Sequence, residues 1–211
     1  KSGFRYGYEG SNGGCGFWEQ CAQWQSFQDY PEEMFTSYNF DVWLNNNHRH
    51  FENEWMRYAS YWLQSYWTIK HGIETIGNIW RESVYPEDAI SAYTRLYCNG
   101  DWSKTKKELY DYASRMATFD IDGVREYSEG YLGRYHTTFY TSGEYYQVAY
   151  ANCPEATGFN VIPLNVPDAG NMVVAADFVG LEPGATLASG DPGEYMESET
   201  IQNKRCDIAV S

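Results

Sequence analysis

The acidic residue best placed for chemistry is Glu19, in the segment GFWEQCAQW at residues 16–24. At helical spacing its carboxylate stands beside Trp18 and on the same side as Ala22, among aromatic side chains. A charged group on such a face costs free energy unless it is paired or binds a metal. Glu19 is therefore either turned to solvent, paired with an arginine, or a metal ligand.

Few histidines are available to complete a metal site, because the sequence contains four. His48 and His50 form an H-x-H-x-E pattern with Glu52, but side chains two residues apart on an extended segment are poorly placed to bind one metal. We expect both to be solvated loop residues, or one of them to line a cleft. The patterns H-E-x-x-H and G-x-S-x-G and a phosphate-binding loop are all missing from the sequence.

Aromatic residues recur at helical spacing, and this pattern has two interpretations. The stripe in question comprises Trp55, Trp62, Tyr66 and Trp80. Because such stripes are typical of buried helix faces, we expect these rings to build the core together with Trp18 and Trp24. The alternative, a platform for carbohydrate, requires exposed and coplanar rings.

Two charged pairs have simpler explanations than a binding site. Glu54 and Arg57 stand three residues apart, which favours an intrahelical or surface ion pair. Asp120 and Asp122 carry the oxygen ligands that calcium prefers, but they lack a recognised calcium-loop pattern. We therefore expect Asp120 and Asp122 to form turns or helix caps.

Helical periodicity dominates the first 135 residues. The helices are predicted at residues 16–30 and 52–70, with shorter ones beginning near Pro31, Ile73, Pro86 and Ser103. His71-Gly72 is predicted to end the helix over residues 52–70, because a basic last turn followed by glycine is a common terminus. The three asparagines at residues 45–47 predict a turn.

The chain becomes strand-like after about residue 135. The β-rich runs, bounded by Gly, Pro and Asn, are Tyr145–Tyr150, Phe159–Val166 and Met172–Val179. We place the domain boundary between Gly133 and Gly143. The sequence thus predicts an α+β fold, with a helical domain over residues 1–135 and part of a β-sandwich-like domain over residues 136–211.

Composition excludes several classes of protein. The 211 residues include 15 Lys and Arg and 29 Asp and Glu, so the formal charge is 15 − 29 = −14. Such a charge repels phosphate backbones and anionic lipids, so we expect no nucleic-acid partner. An aromatic content of 18% argues against disorder. No apolar run reaches the length of about 18 residues that a membrane span requires.

The cysteines and the start of the chain give two further expectations. The sequence has five cysteines and no C-x-x-C pair, which disfavours a zinc knuckle or a dense disulfide scaffold. One or two disulfides stay open as alternatives. The chain starts at Lys1 without a methionine, so we expect a trimmed product of a longer gene.

Several segments resemble a family of secreted, mostly bacterial, zincin-like proteins of the gluzincin type. The segments are GFWEQCAQWQ, YPEEMF, NNNHRHFENEWMRYASYW, KHGIETIGNIWRES, TFDID, YYQVAY and GFNVIPLNVP. Members of this family look like zinc metallopeptidases. They carry an H-E-x-x-H helix, then an aromatic-aromatic-Glu-x-x-Ala helix, and then a β-sandwich-like domain.

The resemblance implies a role for Glu19. By position, Glu19 matches the third zinc ligand and Ala22 the small residue beside it. Two histidines and one carboxylate would leave the fourth zinc position to water. The H-E-x-x-H segment is missing here, and the resemblance places it before Lys1. Gln23 stands where some gluzincins have an aspartate that supports a ligating histidine, so ligand basicity would be weaker.

The resemblance also implies further site residues. Peptidases of this type often direct a His or Tyr from a later helix toward the zinc to stabilise the oxyanion. By position, the candidates here are His50, Tyr58 and Tyr61. The expected function is a secreted or bacterial cell-surface zinc metallopeptidase that hydrolyses peptides or proteins. The alternative is a catalytically inactive surface binding, adhesion or glycan-binding protein on the same scaffold.

Overall fold

The structure is a computed structural model and describes residues 16–142 and 145–163. Within these residues the fold is mixed and mostly helical. The helices are α1 Gly16–Asp29, α2 Tyr38–Asn46, α3 Trp62–His71, α4 Glu74–Glu82, α5 Ala89–Tyr97 and α6 Trp102–Met116. Four short 3-10 helices and a two-stranded sheet of β1 (Phe139–Ser142) and β2 (Tyr145–Val148) complete the described part.

Short polar side chains fix the starts of three helices. Ser37, Asp88 and Asp101 accept hydrogen bonds from backbone N–H groups in the first turns of α2, α5 and α6, at 3.2, 2.6 and 2.9 Å. Each bond satisfies a donor that the helix itself leaves unpaired. The cap of α6 is therefore Asp101, and the prediction of Ser103 was two residues late.

The helix predicted over residues 52–70 begins ten residues later than expected. Asn53 caps the 3-10 helix Glu54–Met56, and a turn separates that helix from α3, which starts at Trp62. The predicted end is confirmed, because Gly72 follows His71 with φ of 97° and donates its N–H to the carbonyl of Thr68. A positive φ at this position favours glycine.

Aromatic rings build the centre of the helical part. Trp43 and Trp62 lie 5.5 Å apart between ring centroids, and the Tyr135 ring stacks on Phe119 at 5.7 Å. Such offset and tilted pairs contribute beyond their buried area. Trp24, Trp62 and Tyr66 are buried as predicted, and Trp80 packs against the core from its edge.

Two tryptophans assigned to the core are instead exposed. Trp55 is 63% exposed and Trp18 is 38% exposed. Trp55 lies outside the core because its segment forms a turn and is not part of α3. The exposed ring of Trp55 and the buried ring of Trp62 therefore do not form one platform.

The β content of the described residues is one hairpin. β1 and β2 are antiparallel, with Phe139 opposite Val148 and Ser142 opposite Tyr145. The strand predicted to start at Tyr145 is confirmed, whereas residues 159–163 form no strand. The run predicted at residues 172–179 lies outside the described residues, so the β-sandwich-like domain stays a prediction.

The described part of the β-rich half packs on the helices. The Phe159 ring approaches Trp43 of α2 at 6.1 Å and Tyr112 of α6 at 5.9 Å. Among residues 16–142 and 145–163, no helix combines the length and the apolar character needed to cross a bilayer.

Candidate functional site

Helix α1 has two contrasting sides. Its buried residues follow one another at steps of three and four: Phe17, Gln20, Trp24 and Phe27. Glu19 is half-buried and Ala22 is exposed, so both lie away from that packed face. Glu19 is in the first turn, where a carboxylate meets the positive end of the helix dipole. The predicted ligand is therefore accessible from the side of α1 that the core leaves open.

Gln20 fastens α1 to the segment that follows α2. Its side chain is fully buried, and its Nε2 donates to the carbonyl of Phe51 at 2.6 Å and to that of Met56 at 3.4 Å. Gln64 of α3 in turn donates to Gln20 Oε1 at 3.4 Å. Because a buried amide without partners costs free energy, these bonds fix the position of α1 at the residue next to Glu19.

Cys21 follows on α1 and is unsuited to nucleophilic chemistry. Burial raises its pKa to about 12, although hydrogen bonds with the side chains of Trp80 and Gln64 act in the opposite direction. The thiolate is the reactive form of cysteine, so a thiol with such a pKa stays protonated and inert.

The loop that contains Glu155 and Thr157 fixes the segment around His48 and His50. The backbone N–H groups of His50 and Phe51 donate to the Glu155 carboxylate at 2.6 Å and to the Thr157 hydroxyl at 2.8 Å. His48 is buried, and burial together with Arg49 lowers its pKa below the usual value. His48 is therefore not the solvated loop residue expected, whereas His50 is half-buried.

Glu52 is a buried acid beside the start of α5. Its carboxylate accepts from the N–H of Ala89 at 3.4 Å, and its backbone carbonyl lies close to Gly16 at the start of α1. Burial and the neighbouring Asp88 raise the pKa of Glu52 to about 8. The side chain is thus largely protonated at neutral pH, which sequence reasoning did not anticipate.

The two tyrosine candidates have different surroundings. Tyr61 is 1% exposed, and its hydroxyl donates to the carbonyl of Met34 at 2.6 Å. Burial raises the pKa of Tyr61 far above its usual value. Tyr58 is 38% exposed, with the Arg57 guanidinium 4.9 Å from its ring centroid. Of the two, Tyr58 has the ring that reaches solvent.

The described residues do not complete a zinc site around Glu19. In residues 16–142 and 145–163, no three His, Cys, Asp or Glu side chains converge to hold a metal ion. His48, His50 and Glu52 therefore do not form a shared metal site. One carboxylate cannot fix zinc, which needs three or four protein ligands.

Sequence reasoning missed a network of titratable groups on α3, α5 and α6. Glu108 of α6 accepts from the Tyr93 hydroxyl and lies 3.4 Å from Lys70 Nζ and 3.7 Å from His71 Nε2. His71 Nε2 is also 2.7 Å from the Tyr93 hydroxyl oxygen. Burial lowers the pKa of His71, although Glu108 favours its charged form.

A second tyrosine–carboxylate pair extends this network by one helical turn. Tyr66 donates to Asp111 at 2.7 Å, and Lys70 Nζ donates to the Tyr66 hydroxyl at 3.0 Å. Arg115 donates to the same Asp111 carboxylate at 3.1 Å. The acids on α6 at spacing i, i+3 are the sequence signal for this network, but their partners stand far away along the chain.

Comparison of the sequence with known protein families identifies one match. The profile of a family of unknown function (DUF6055) matches residues 1–203. The chain belongs to DUF6055. No curated protein and no solved structure matches the chain.

The DUF6055 match shows which residues belong to the family, but the family is one of unknown function and so assigns no activity. The match covers α1 and the Glu19 segment as well as most of the β-rich half. The zincin-like character of this DUF6055 chain, its zinc and its secretion remain predictions based on the motif around Glu19.

Proposed function

We propose that this DUF6055 chain belongs to a secreted or cell-surface zinc metallopeptidase with a zincin-like fold, in which Glu19 is the third metal ligand. The supporting observation is the position of Glu19 in the first turn of α1, on the side opposite the packed residues. Exposed Ala22 stands one turn further along the same side. A second helix can approach α1 closely over such a small side chain.

The proposal requires groups that the described residues do not contain. Two histidine ligands and a general base are needed, and the resemblance assigns them to an H-E-x-x-H helix. The contribution of this chain is then to hold the Glu19 carboxylate, through the Gln20 hydrogen bonds and the packing of α1. The β-sandwich-like second domain is part of the same proposal.

The remaining site candidates differ in their support. His50 and Tyr58 keep side chains that are partly accessible, which suits residues near a cleft. The hydroxyl of Tyr61 is engaged by Met34 in the core, which favours a packing role for that residue. We retain His50 and Tyr58 as candidates to face a peptide substrate.

Zinc content tests the proposal directly. Full-length natural protein should contain one zinc per chain by elemental analysis, and Glu19→Ala should lose most of it. Glu33→Ala is the matched control, because this carboxylate is exposed on the neighbouring 3-10 helix. Equal zinc in the wild-type protein and Glu19→Ala would refute the assignment of Glu19 as a ligand.

Peptide hydrolysis separates the enzyme from the alternative. A mixture of quenched fluorescent peptides should be cleaved by the wild-type protein and by Glu33→Ala. Glu19→Ala should be slower by at least about 100-fold, because loss of the metal removes the activated water. Bound zinc without any cleavage would favour the inactive surface-binding alternative, which the exposed rings of Trp55 and Tyr58 also support.

A further inference from the structure

The turn over residues 53–58 presents two exposed aromatic rings on an anchored backbone. Asn53 Oδ1 accepts from the Trp55 N–H at 3.0 Å and so starts the 3-10 helix. Met56 is 3% exposed and points into the core. We call this segment, from Asn53 to Tyr58, the 53–58 turn.

The base of the 53–58 turn is fixed from two sides. Gln20 of α1 donates to the Met56 carbonyl, and the Ser60 N–H donates to the same carbonyl at 2.9 Å. Ala59, directly after the turn, is fully buried. Binding a partner therefore costs little conformational entropy in the backbone of this turn, which favours affinity.

The outer side of the 53–58 turn is aromatic. Trp55 is 63% exposed and Tyr58 is 38% exposed. Trp55 lies in the 3-10 helix and Tyr58 follows its C-cap residue Arg57, so the two exposed rings stand three residues apart on one short turn. Trp and Tyr on a rigid backbone are the residues that most often dominate binding interfaces.

The same turn already binds a cation from its own chain. The Arg57 guanidinium lies 4.9 Å from the Tyr58 ring centroid, and Arg57 Nη1 lies 2.7 Å from Glu54 Oε1. A carboxylate can accept several hydrogen bonds, and the Glu54 side chain is 42% exposed. Trp55 is the stronger cation-binding ring type, and it is the more exposed of the two.

We propose that the 53–58 turn binds peptide segments that carry lysine or arginine. The cationic side chain lies on the Trp55 ring, with its charge beside the Glu54 carboxylate. The net charge of −14 favours approach of a cationic partner over an anionic one. This inference concerns recognition and goes beyond the proposed function, since it holds whether or not Glu19 binds zinc.

Calorimetric titration of the full-length protein with two decapeptides tests the proposal. One alternates Lys with Ala, the other Glu with Ala, and both have blocked ends. At 150 mM NaCl the lysine peptide should bind and the glutamate peptide should not. Trp55→Ala should weaken binding at least about tenfold, and Glu54→Gln about threefold, because both remove attraction for the cation.

Trp102→Ala is the matched control, since Trp102 is 52% exposed at the start of α6. It should bind within about twofold of wild type. Trp55→Phe keeps a ring at the same place and should give intermediate affinity. Equal affinity of wild type and Trp55→Ala would overturn the proposal. Binding of cellohexaose through Trp55 without binding of the lysine peptide would also overturn it, in favour of a glycan site.

Discussion

The carboxyl group of Glu52 occupies a place that disfavours its charge. It is buried beside Asp88, and the N–H of Ala89 gives it a weak 3.4 Å hydrogen bond in return. In the unfolded chain the same group ionises near its ordinary pKa of 4.5, whereas in the folded chain the pKa is about 8. Folding therefore takes up a proton between these two values.

This proton uptake predicts how stability changes with pH. A raised folded pKa means that the contribution of Glu52 is fully present below pH 4.5 and is lost as pH rises toward 8. Glu52→Gln removes the ionisation. We expect the variant to match wild type near pH 4.5. At pH 8 it should be more stable by a few kcal/mol, because each unit of pKa difference between the folded and unfolded chains is worth about 1.4 kcal/mol. Urea unfolding at a series of pH values measures this difference.

Glu33→Gln is the control for the Glu52 experiment, because Glu33 is exposed. Its stability should follow that of the wild-type protein at every pH. A Glu52→Gln variant whose stability also runs parallel to wild type from pH 4.5 to 8 would show that Glu52 is ionised in the folded chain.

Three helices depend on one carboxylate at the scale of elements. Glu108 of α6 is contacted by Lys70 and His71 from the end of α3 and by Tyr93 from α5. The Tyr93 ring also stacks on Trp67 of α3 at 4.3 Å. The hydroxyl of Tyr93 is the point at which all three helices meet.

Removal of the Tyr93 hydroxyl should loosen this junction. Tyr93→Phe keeps the stacked ring but removes the hydrogen bond to Glu108 and the contact with His71, so Lys70 and His71 remain beside Glu108. We expect a loss of about 1–3 kcal/mol in the free energy of unfolding, since a hydrogen bond to a partly buried carboxyl group is lost. Urea denaturation gives the value. Tyr110→Phe, an exposed tyrosine on α6, should change stability by less than about 0.5 kcal/mol, and an equal loss in both variants would contradict this role.

The elements differ in how far the sequence predicts them. The presence of a helix starting at Gly16 and the end of α3 at Gly72 follow from spacing and local residues, and both are confirmed. The start of α3 does not follow from spacing, because all nine residues from 59 to 67, polar and apolar alike, are buried and the segment carries no single apolar face. The hydrogen bond from the Trp55 N–H to Asn53 Oδ1 then fixes the turn locally.

The candidate site shows the same limit. Glu19 could be placed on a helix from spacing, but the packed aromatic face predicted around it lies on another side of α1, with Phe17 and Trp24. The network around Glu108 could not be predicted, because His71 and Tyr93 reach it from 37 and 15 residues away. Contacts of that range depend on how helices pack, and no short spacing in the sequence encodes them.

At the scale of the whole molecule, charge is the dominant feature. Short ion pairs such as Arg95–Glu87 at 2.6 Å and Arg115–Asp111 at 3.1 Å neutralise individual acids locally, but the excess of 14 acids over bases remains. Both pairs are on the surface, where each contributes about 0–1 kcal/mol. The remaining acids repel one another over longer distances, and that repulsion favours the expanded chain.

Salt should therefore stabilise this protein. The Debye length is about 10 Å at 0.1 M, so added NaCl screens the long-range repulsion more than the close pairs. We expect the melting temperature to rise by a few degrees, roughly 2–5 °C, between about 20 and 300 mM NaCl. Differential scanning fluorimetry at constant pH measures the shift.

A charge variant shows whether repulsion is the cause of this salt effect. Glu32→Lys combined with Glu33→Lys changes the net charge to −14 + 4 = −10 at two exposed positions. The double variant should melt higher than wild type at low salt and respond less to NaCl, because less repulsion remains to be screened. A melting temperature that falls with salt in both proteins would mean that the ion pairs outweigh the repulsion among the 29 acids.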